Sequence, residues 1–269
     1  MIVVLVIAAA LAALVAALWL IGAREPVLRG TGPVWFIALR GGEGDPLATG
    51  MRLLWSSNAD LAFIGAENAY WTRFLVVAGE GATPLSRKAF DDAYVARIRL
   101  LAPPRIALGV VRLLVILGVL SRPSTANVAT DAQTLGFKQA LMPSAAAIAN
   151  LLARPPSYAP AMVNFLTYFD QAKYDQGGSG RAAYRRYGLV AMRTVFRTGG
   201  QLLFYSAVTE VVRQAKAWPA GGAWHDVAAM RYPNPPAILS MEHVPEYRAA
   251  LAHRDAGLER TVVIASTPT

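Results

Sequence analysis

The first 23 residues, MIVVLVIAAALAALVAALWLIGA, run without a charged side chain. A helix of that length rises about 35 Å, enough for the roughly 30 Å hydrocarbon core of a bilayer. The pattern predicts a transmembrane anchor over residues 1–23. A cleaved secretory signal would instead place basic residues ahead of a shorter apolar run of about 7–15 residues. Here the run begins at Met1 with no Lys or Arg before it. Arg24, Arg29 and Arg40 follow the helix, so the positive-inside rule predicts a single pass through the inner (cytoplasmic) membrane with the C-terminal bulk in the cytoplasm.

Beyond the anchor, short apolar runs bounded by Gly or Pro alternate with stretches of helical spacing. GPVWFIALR (32–40) reads as a buried strand and PLATGMRLLWSSN (46–58) as a short helix. ADLAFIGAEN and YWTRFLVVAGE read as strands joined by a turn near Glu67 and Asn68. In LSRKAFDDAYVARIRLLA (85–102), Phe90, Tyr94 and Ile98 recur every four residues behind Ser86, a candidate N-cap, and predict a second helix. This β-α-β-β-α order over residues 31–102 predicts a degenerate ferredoxin-like domain.

Residues 103–141 differ in character. The apolar run 106–120 is 15 residues long and interrupted by Arg112, short for a span and costly at the bilayer centre. It predicts an apolar helix that lies in the membrane interface, is buried in soluble protein, or crosses the bilayer. A polar, turn-rich link follows over 121–139.

A second β-α-β-β-α-β series occupies residues 142–269. MPSAAAIANLLARPP is a leading helix, AMVNFLTYF a strand, and GSGRAAYRRYGLVAMRTVFRTG a helix ending at Gly199. QLLFYSAVTEVV and WHDVAAMRYP are strands, PAILSMEHVPEYRAALAHRDAGL a broken helix, and RTVVIAS the last strand. The halves correspond: VWFIALR with MVNFLTYF, DLAFIGAEN with QLLFYSAVTE, TRFLVVAG with HDVAAMRY, and DDAYVARIRLLA with VPEYRAALA. The offset drifts from about 128 to about 153 positions, which predicts a tandem duplication of elements and not a strict repeat.

Over residues 142–266, MPSAAAIANLLARPPSYAPAMVNFLTYF, GRAAYRRYG and RYPNPPAILSMEHVPEYRAALAHRDAGLERTVVIA resemble the DUF1330 family of the dimeric α/β-barrel group. Pro235–Pro236, Val244, Phe165 and Tyr168 depart from the family pattern. The resemblance implies a ferredoxin-like sheet that pairs face to face with another. Two such units in one chain imply an intramolecular pseudo-dimer. It implies no settled reaction, although the wider group includes monooxygenases, isomerases and haem-binding members. The fold class expected is therefore α+β: an N-terminal transmembrane helix, then two tandem ferredoxin-like domains.

Composition sharpens the partner. The net charge of +9 comes from scattered arginines with no nucleic-acid motif, and an anionic membrane surface accounts for it more simply than nucleic acid does. The chain has no cysteine, and its three histidines, His225, His243 and His253, lack ligand spacing, so no metal or other cofactor is expected. GGEGDPLATG and DQGGSGR match no phosphate-cradling pattern, and no nucleophile motif occurs.

Five residues are candidates for a site: His253 as acid–base, and Asn164, Tyr184, Tyr247 and Arg254 as ligand contacts. On a helix through 246–258, Tyr247, Leu251, Arg254 and Leu258 share one face that should dock on the sheet. His253 either caps the helix end or points, with Arg254, into the mouth of the barrel beside Asn164 and Tyr184 to hold a small anion. Arg254 equally suits an ion pair with Glu246 or Asp255. Asn164 either faces inward, hydrogen-bonded, or bonds at a strand edge. Tyr184 and Tyr187 also suit core or interface packing. The expected function is a membrane-anchored binding or accessory module, such as a subunit of a larger membrane-protein complex. The alternative is a small-molecule enzyme using the barrel cavity, and a third idea is a lipid-surface protein acting through residues 104–122.

Overall fold

Eight strands and six α-helices make up the structure, a computed structural model that describes residues 1–30, 32–42, 44–86, 90–128, 138–174, 177–216 and 224–269. In chain order the first half supplies α1 (Ile2–Ala23), β1 (Val34–Arg40), β2 (Arg52–Ile64), β3 (Arg73–Ala78), β4 (Asp92–Leu100) and α2 (Arg105–Ile116). The second supplies α3 (Ala145–Leu152), β5 (Ala161–Tyr168), α4 (Gly180–Arg197), β6 (Gln201–Arg213), β7 (Asp226–Arg231), α5 (Pro235–Leu239), α6 (Pro245–Gly257) and β8 (Leu258–Pro268).

Side-chain alternation along the strands decides what lies inside. The strands close into a barrel in the order β1-β3-β2-β8-β5-β7-β6-β4, every neighbouring pair antiparallel. Phe36, Phe74, Tyr94, Phe165 and Phe204 point inward and pack as one buried cluster with Trp71 and Trp224. Phe36 meets Phe165 edge-on at 5.5 Å and Phe165 lies 5.5 Å from Trp224. Such pairs add about 0.5–1.5 kcal/mol each beyond area burial. The interior, where a ligand was expected, is thus a packed aromatic core.

The two halves cover their outer faces differently. In the second, α4 and α6 pack on the sheet, as the sequence led one to expect. In the first, no helix forms over the described parts of 46–58 and 85–102; residues 87–89 of the latter lie outside the described residues. The described residues of the two connections, 41–42 and 44–51 after β1 and 79–86 and 90–91 after β3, instead form bends and turns between opposite ends of the strands, and the two meet at an antiparallel bridge between Leu47 and Leu85. Ser86, expected to cap a helix, donates its hydroxyl to the Pro46 carbonyl at 3.1 Å. Leu47, Met51, Leu85 and Phe90 cover Trp35, Ile37 and Val95. This explains why β1 is buried on both faces. The helix expectation failed because a spacing of four fits period two as well: Tyr94, Ala96 and Ile98 face the barrel interior while Ala93 and Val95 face out. Residues 92–100 correspond to a strand, not to the VPEYRAALA helix.

The strand registers rhyme closely. β2 and β6 are both 13 residues long. Each carries a bulge between its second and fourth residues, Leu53/Trp55 against β3 and Leu202/Phe204 against β7. The fourth residues, Trp55 and Phe204, touch edge-on at 5.3 Å. Beyond its own sheet each long strand pairs with the other half, β2 with β8 and β6 with β4, and these two seams close the barrel.

α1 is long and apolar enough to cross a membrane, and it is exposed along its length except near its C-terminal end, where Gly22 is buried. It docks on α2 through glycines: a Cβ on Gly22 would lie 1.8 Å from the Arg105 carbonyl oxygen, and one on Gly109 1.9 Å from that of Leu18. Arg112, the charge that interrupts the apolar run, turns toward protein. Its Nε donates to Glu25 at 2.7 Å and its Nη2 to the Gly200 carbonyl at 3.1 Å, with Phe196 beneath it. The pair is largely out of water, where losing one partner typically costs about 3–5 kcal/mol. It locks the end of α1, α2 and the start of β6 together.

Candidate functional site

A cavity of ≈ 690 Å³ lies outside the barrel wall, between the second half's sheet and its helices. Its floor is the outward-facing side of β5–β8, where Met162, Asn164 and Leu166 of β5 sit beside Met230 of β7 and Val263 of β8. Its roof is α4 and α6. Local sequence makes that roof. Ser179 caps α4 by accepting from the Ala182 N–H at 3.2 Å, and Gly199, φ +84°, ends it as expected. Pro235 and Pro236 occupy the first turn of α5, where Asn234 accepts from the Ala237 N–H at 3.0 Å.

Gly257 closes α6 where that helix meets α4. It ends α6 without positive φ, and its Cβ would lie 2.6 Å from the Gly180 carbonyl oxygen. Glycines at 180 and 257 therefore let α4 and α6 approach closely.

Four of the five predicted site residues, Asn164, Tyr184, Tyr247 and Arg254, line this cavity. Asn164 faces the helices, not the barrel interior, and its Nδ2 donates to the Met162 carbonyl at 2.8 Å. Tyr247 sits on α6 with its hydroxyl 3.1 Å from that of Tyr187 on α4. Arg254 is 6% exposed, on the docking stripe with Leu251 and Leu258. Its ion pair is with Asp255 at 3.2 Å, and Nη2 also lies 2.9 Å from the Met142 sulfur. Glu246, the other carboxylate considered, pairs with Arg197. His253 is not on the cavity wall; its Nδ1 bonds the Tyr174 hydroxyl on the other side of α6. His225 and His243 lie elsewhere, on the Tyr168 N–H and the Ser124 carbonyl.

Sequence reasoning missed a second polar group at the cavity edge. Asp226 is fully buried and accepts from Tyr168 (2.6 Å), Tyr205 and Arg181 (2.8 Å). Tyr205 and Arg181 also line the cavity. The one signal was an acidic residue opening an otherwise apolar strand, HDVAAM. Burial pushes the hydroxyls of Tyr184, Tyr205 and Tyr247 up from their ordinary value, helped at Tyr184 and Tyr247 by Tyr187 and at Tyr205 by Asp226. They stay protonated near neutrality, so they can donate and accept hydrogen bonds but are poorly suited to act as bases. Apart from these groups and Arg185, Glu242 and Thr261 the wall is apolar and soft: Met142, Met162, Met192, Met230 and Met241 are five of the chain's seven methionines. Unbranched thioethers of this kind adapt to irregular apolar ligands.

A comparison with protein-family models returns no match, and neither does one with curated proteins. Among solved structures the chain is similar to RPA0582, a protein of unknown function from Rhodopseudomonas palustris. Identity is 25%, the TM-score is 0.41, and the match covers 47% of this chain and 95% of that one. Methylated RPA0582 gives the same identity and TM-score, with 93% of that chain covered.

Proposed function

We propose that this protein is a membrane-anchored binding module that holds a small, largely apolar molecule in the cavity beneath α4 and α6. The carrying observation is the cavity itself, whose size falls in the range of about 300–1,000 Å³ typical of ligand sites and whose apolar wall carries a few convergent polar groups. The protonated tyrosines and the position of His253 favour binding over acid–base chemistry. α1 serves as a single-pass anchor in the inner membrane, with the remainder cytoplasmic by the charge of Arg24, Arg29 and Arg40. As an accessory subunit it would present the loaded cavity to a membrane-protein partner.

The same reading treats the barrel as two tandem ferredoxin-like units in an intramolecular pseudo-dimer, the second a DUF1330-type domain. What supports it is the order β4-β1-β3-β2 followed by β8-β5-β7-β6, with matching bulges in β2 and β6. In the first unit no helix forms over the described parts of either crossover, and the cavity lies over the second unit's sheet, with Phe63, Ile64, Leu101 and Ala102 of the first unit reaching its wall.

Native mass spectrometry of gently extracted protein tests the binding reading. A small molecule should stay with the wild type and be lost in Ala228→Trp, which fills the cavity floor. A chain that carries no small molecule, and takes none from a panel of apolar anions and neutral compounds, would remove the reading. Protease digestion of right-side-out and inverted vesicles tests orientation, with protection expected only in the former.

A further inference from the structure

The cavity's charged groups and its place beside the membrane helix narrow the ligand, on the footing of the binding reading above. Four charged side chains reach its wall: Arg181, Arg185, Glu242 and Arg254. Arg254 alone among them is buried. A guanidinium has five N–H donors. Those on Nε and Nη2 meet one oxygen of Asp255 and a thioether, and Nη1 has no partner among the described residues. Beside it stand the paired hydroxyls of Tyr187 and Tyr247. The wall of an apolar, methionine-lined space thus holds a buried, under-used cation.

Other parts of the wall are more exposed and form a rim. One side is Leu101, Ala102 and Pro103, which lead directly into α2. The other includes Gly188 and Leu189 of α4, with Leu189 69% exposed. α2 packs by Gly109 against Leu18 and Gly22, the last turns of α1, so with α1 as the proposed anchor it would sit where that helix leaves the bilayer. Its last residue Ile116, and Leu117 and Val119 just beyond, are each at least 65% exposed, an apolar edge on the element that packs against α1.

We infer that the cavity takes a single-chain anionic amphiphile drawn from the bilayer, its carboxylate or phosphate head against Arg254 and its chain running back to the rim beside α2. An apolar chain fits the wall, the one buried cation fits an acidic head, and the exposed apolar rim spares the chain passage through water. The third idea, a lipid-facing role for residues 104–122, becomes on this view the doorway of the site.

The probe is cis-parinarate, a fluorescent fatty acid, with its methyl ester as the uncharged control. Both are titrated onto the full chain reconstituted in phosphatidylcholine vesicles, against the same vesicles without protein. Saturable uptake is expected, with the acid bound tighter than the ester by roughly tenfold or more. Arg254→Gln should erase that preference while leaving ester binding in place. The acid–ester comparison on the wild type decides the point even if that variant does not fold. Equal affinity for acid and ester overturns the proposal but leaves the binding reading standing. No binding of either probe, together with an empty cavity by native mass spectrometry, overturns both. For the source, probe is supplied in the protein's own bilayer or in separate vesicles. Prompt uptake only from the shared bilayer is expected, slowed by Leu189→Trp at the rim. Equal rates from both would mean supply through water and overturn entry from the membrane.

Discussion

Single residues carry the strongest tension in this molecule where charge meets the cavity wall. The Glu242 carboxyl is held above the ordinary carboxylate range because burial disfavours its charge, with Arg254, His243 and Arg248 opposing. Its Oε2 is buried without a hydrogen-bond partner among the described residues. A carboxyl raised on folding binds its proton more tightly in the native state. Stability is therefore favoured below the unfolded value of about 4.3 and is lost as pH rises through the folded value. Glu242→Gln keeps the shape and cannot ionise, so it should be at least as stable as wild type at neutral pH. That relative advantage should shrink to nothing as pH falls below about 4. Urea midpoints of both proteins across that range check it; a variant that loses ground as pH rises would show the ionised carboxylate to be stabilising. None of this was legible in SMEHVPEY, where Glu242 looks like an ordinary solvated acid.

Among elements, the α1–α2 crossing decides whether anchor and domain move as one body. The two helices meet backbone to backbone at Gly22 and Gly109, with the Arg105 guanidinium over the Trp19 ring. Gly109→Leu places carbon where the Leu18 carbonyl stands, so the helices must separate by more than a side chain can absorb. The chain has no cysteine, which gives a clean background for the check. Trp19→Cys with Arg105→Cys should join through a short bifunctional crosslinker, and adding Gly109→Leu should abolish the product. An unchanged yield would mean that the crossing tolerates bulk. The elements also show what the sequence could reveal. α3 and α4 were readable because the prolines after Arg154 and the glycine at 199 close stretches of helical spacing, which Ser144 and Ser179 cap at their starts in the structure. Residues 85–102 were not, since Phe90, Tyr94 and Ile98 satisfy both periods and only long-range pairing with β1 and β6 selects the strand. Of the site, Tyr247 and Arg254 were legible from their shared helical face, and Asn164 as an amide in an apolar strand. Asp226 needed tertiary structure, because the partners that make its burial tolerable come from β5, α4 and β6.

At the scale of the whole molecule, the two seams carry the claim that one chain does the work of a dimer. β8 pairs with β2 over Val263–Pro268, and β6 pairs with β4 over Ser206–Arg213. Residues 142–269 expressed alone would therefore present two long strand edges with unpaired N–H and C=O groups, and would open Phe165, Phe204 and Trp224 to water. Within the full chain those edges meet antiparallel partners of equivalent position, β2 standing to β8 as β6 stands to β4. A second copy of the fragment can supply the same partners, β6 of each copy closing on β8 of the other about a two-fold axis. The fragment should accordingly sediment as a dimer with native near-ultraviolet circular dichroism. Dilution should unfold it and dissociate it together, because neither edge is covered in the monomer. A folded, monomeric fragment would instead mean that the second sheet is complete by itself. The pairing with the first half would then be an embellishment of one domain and not the internal copy of a dimer interface.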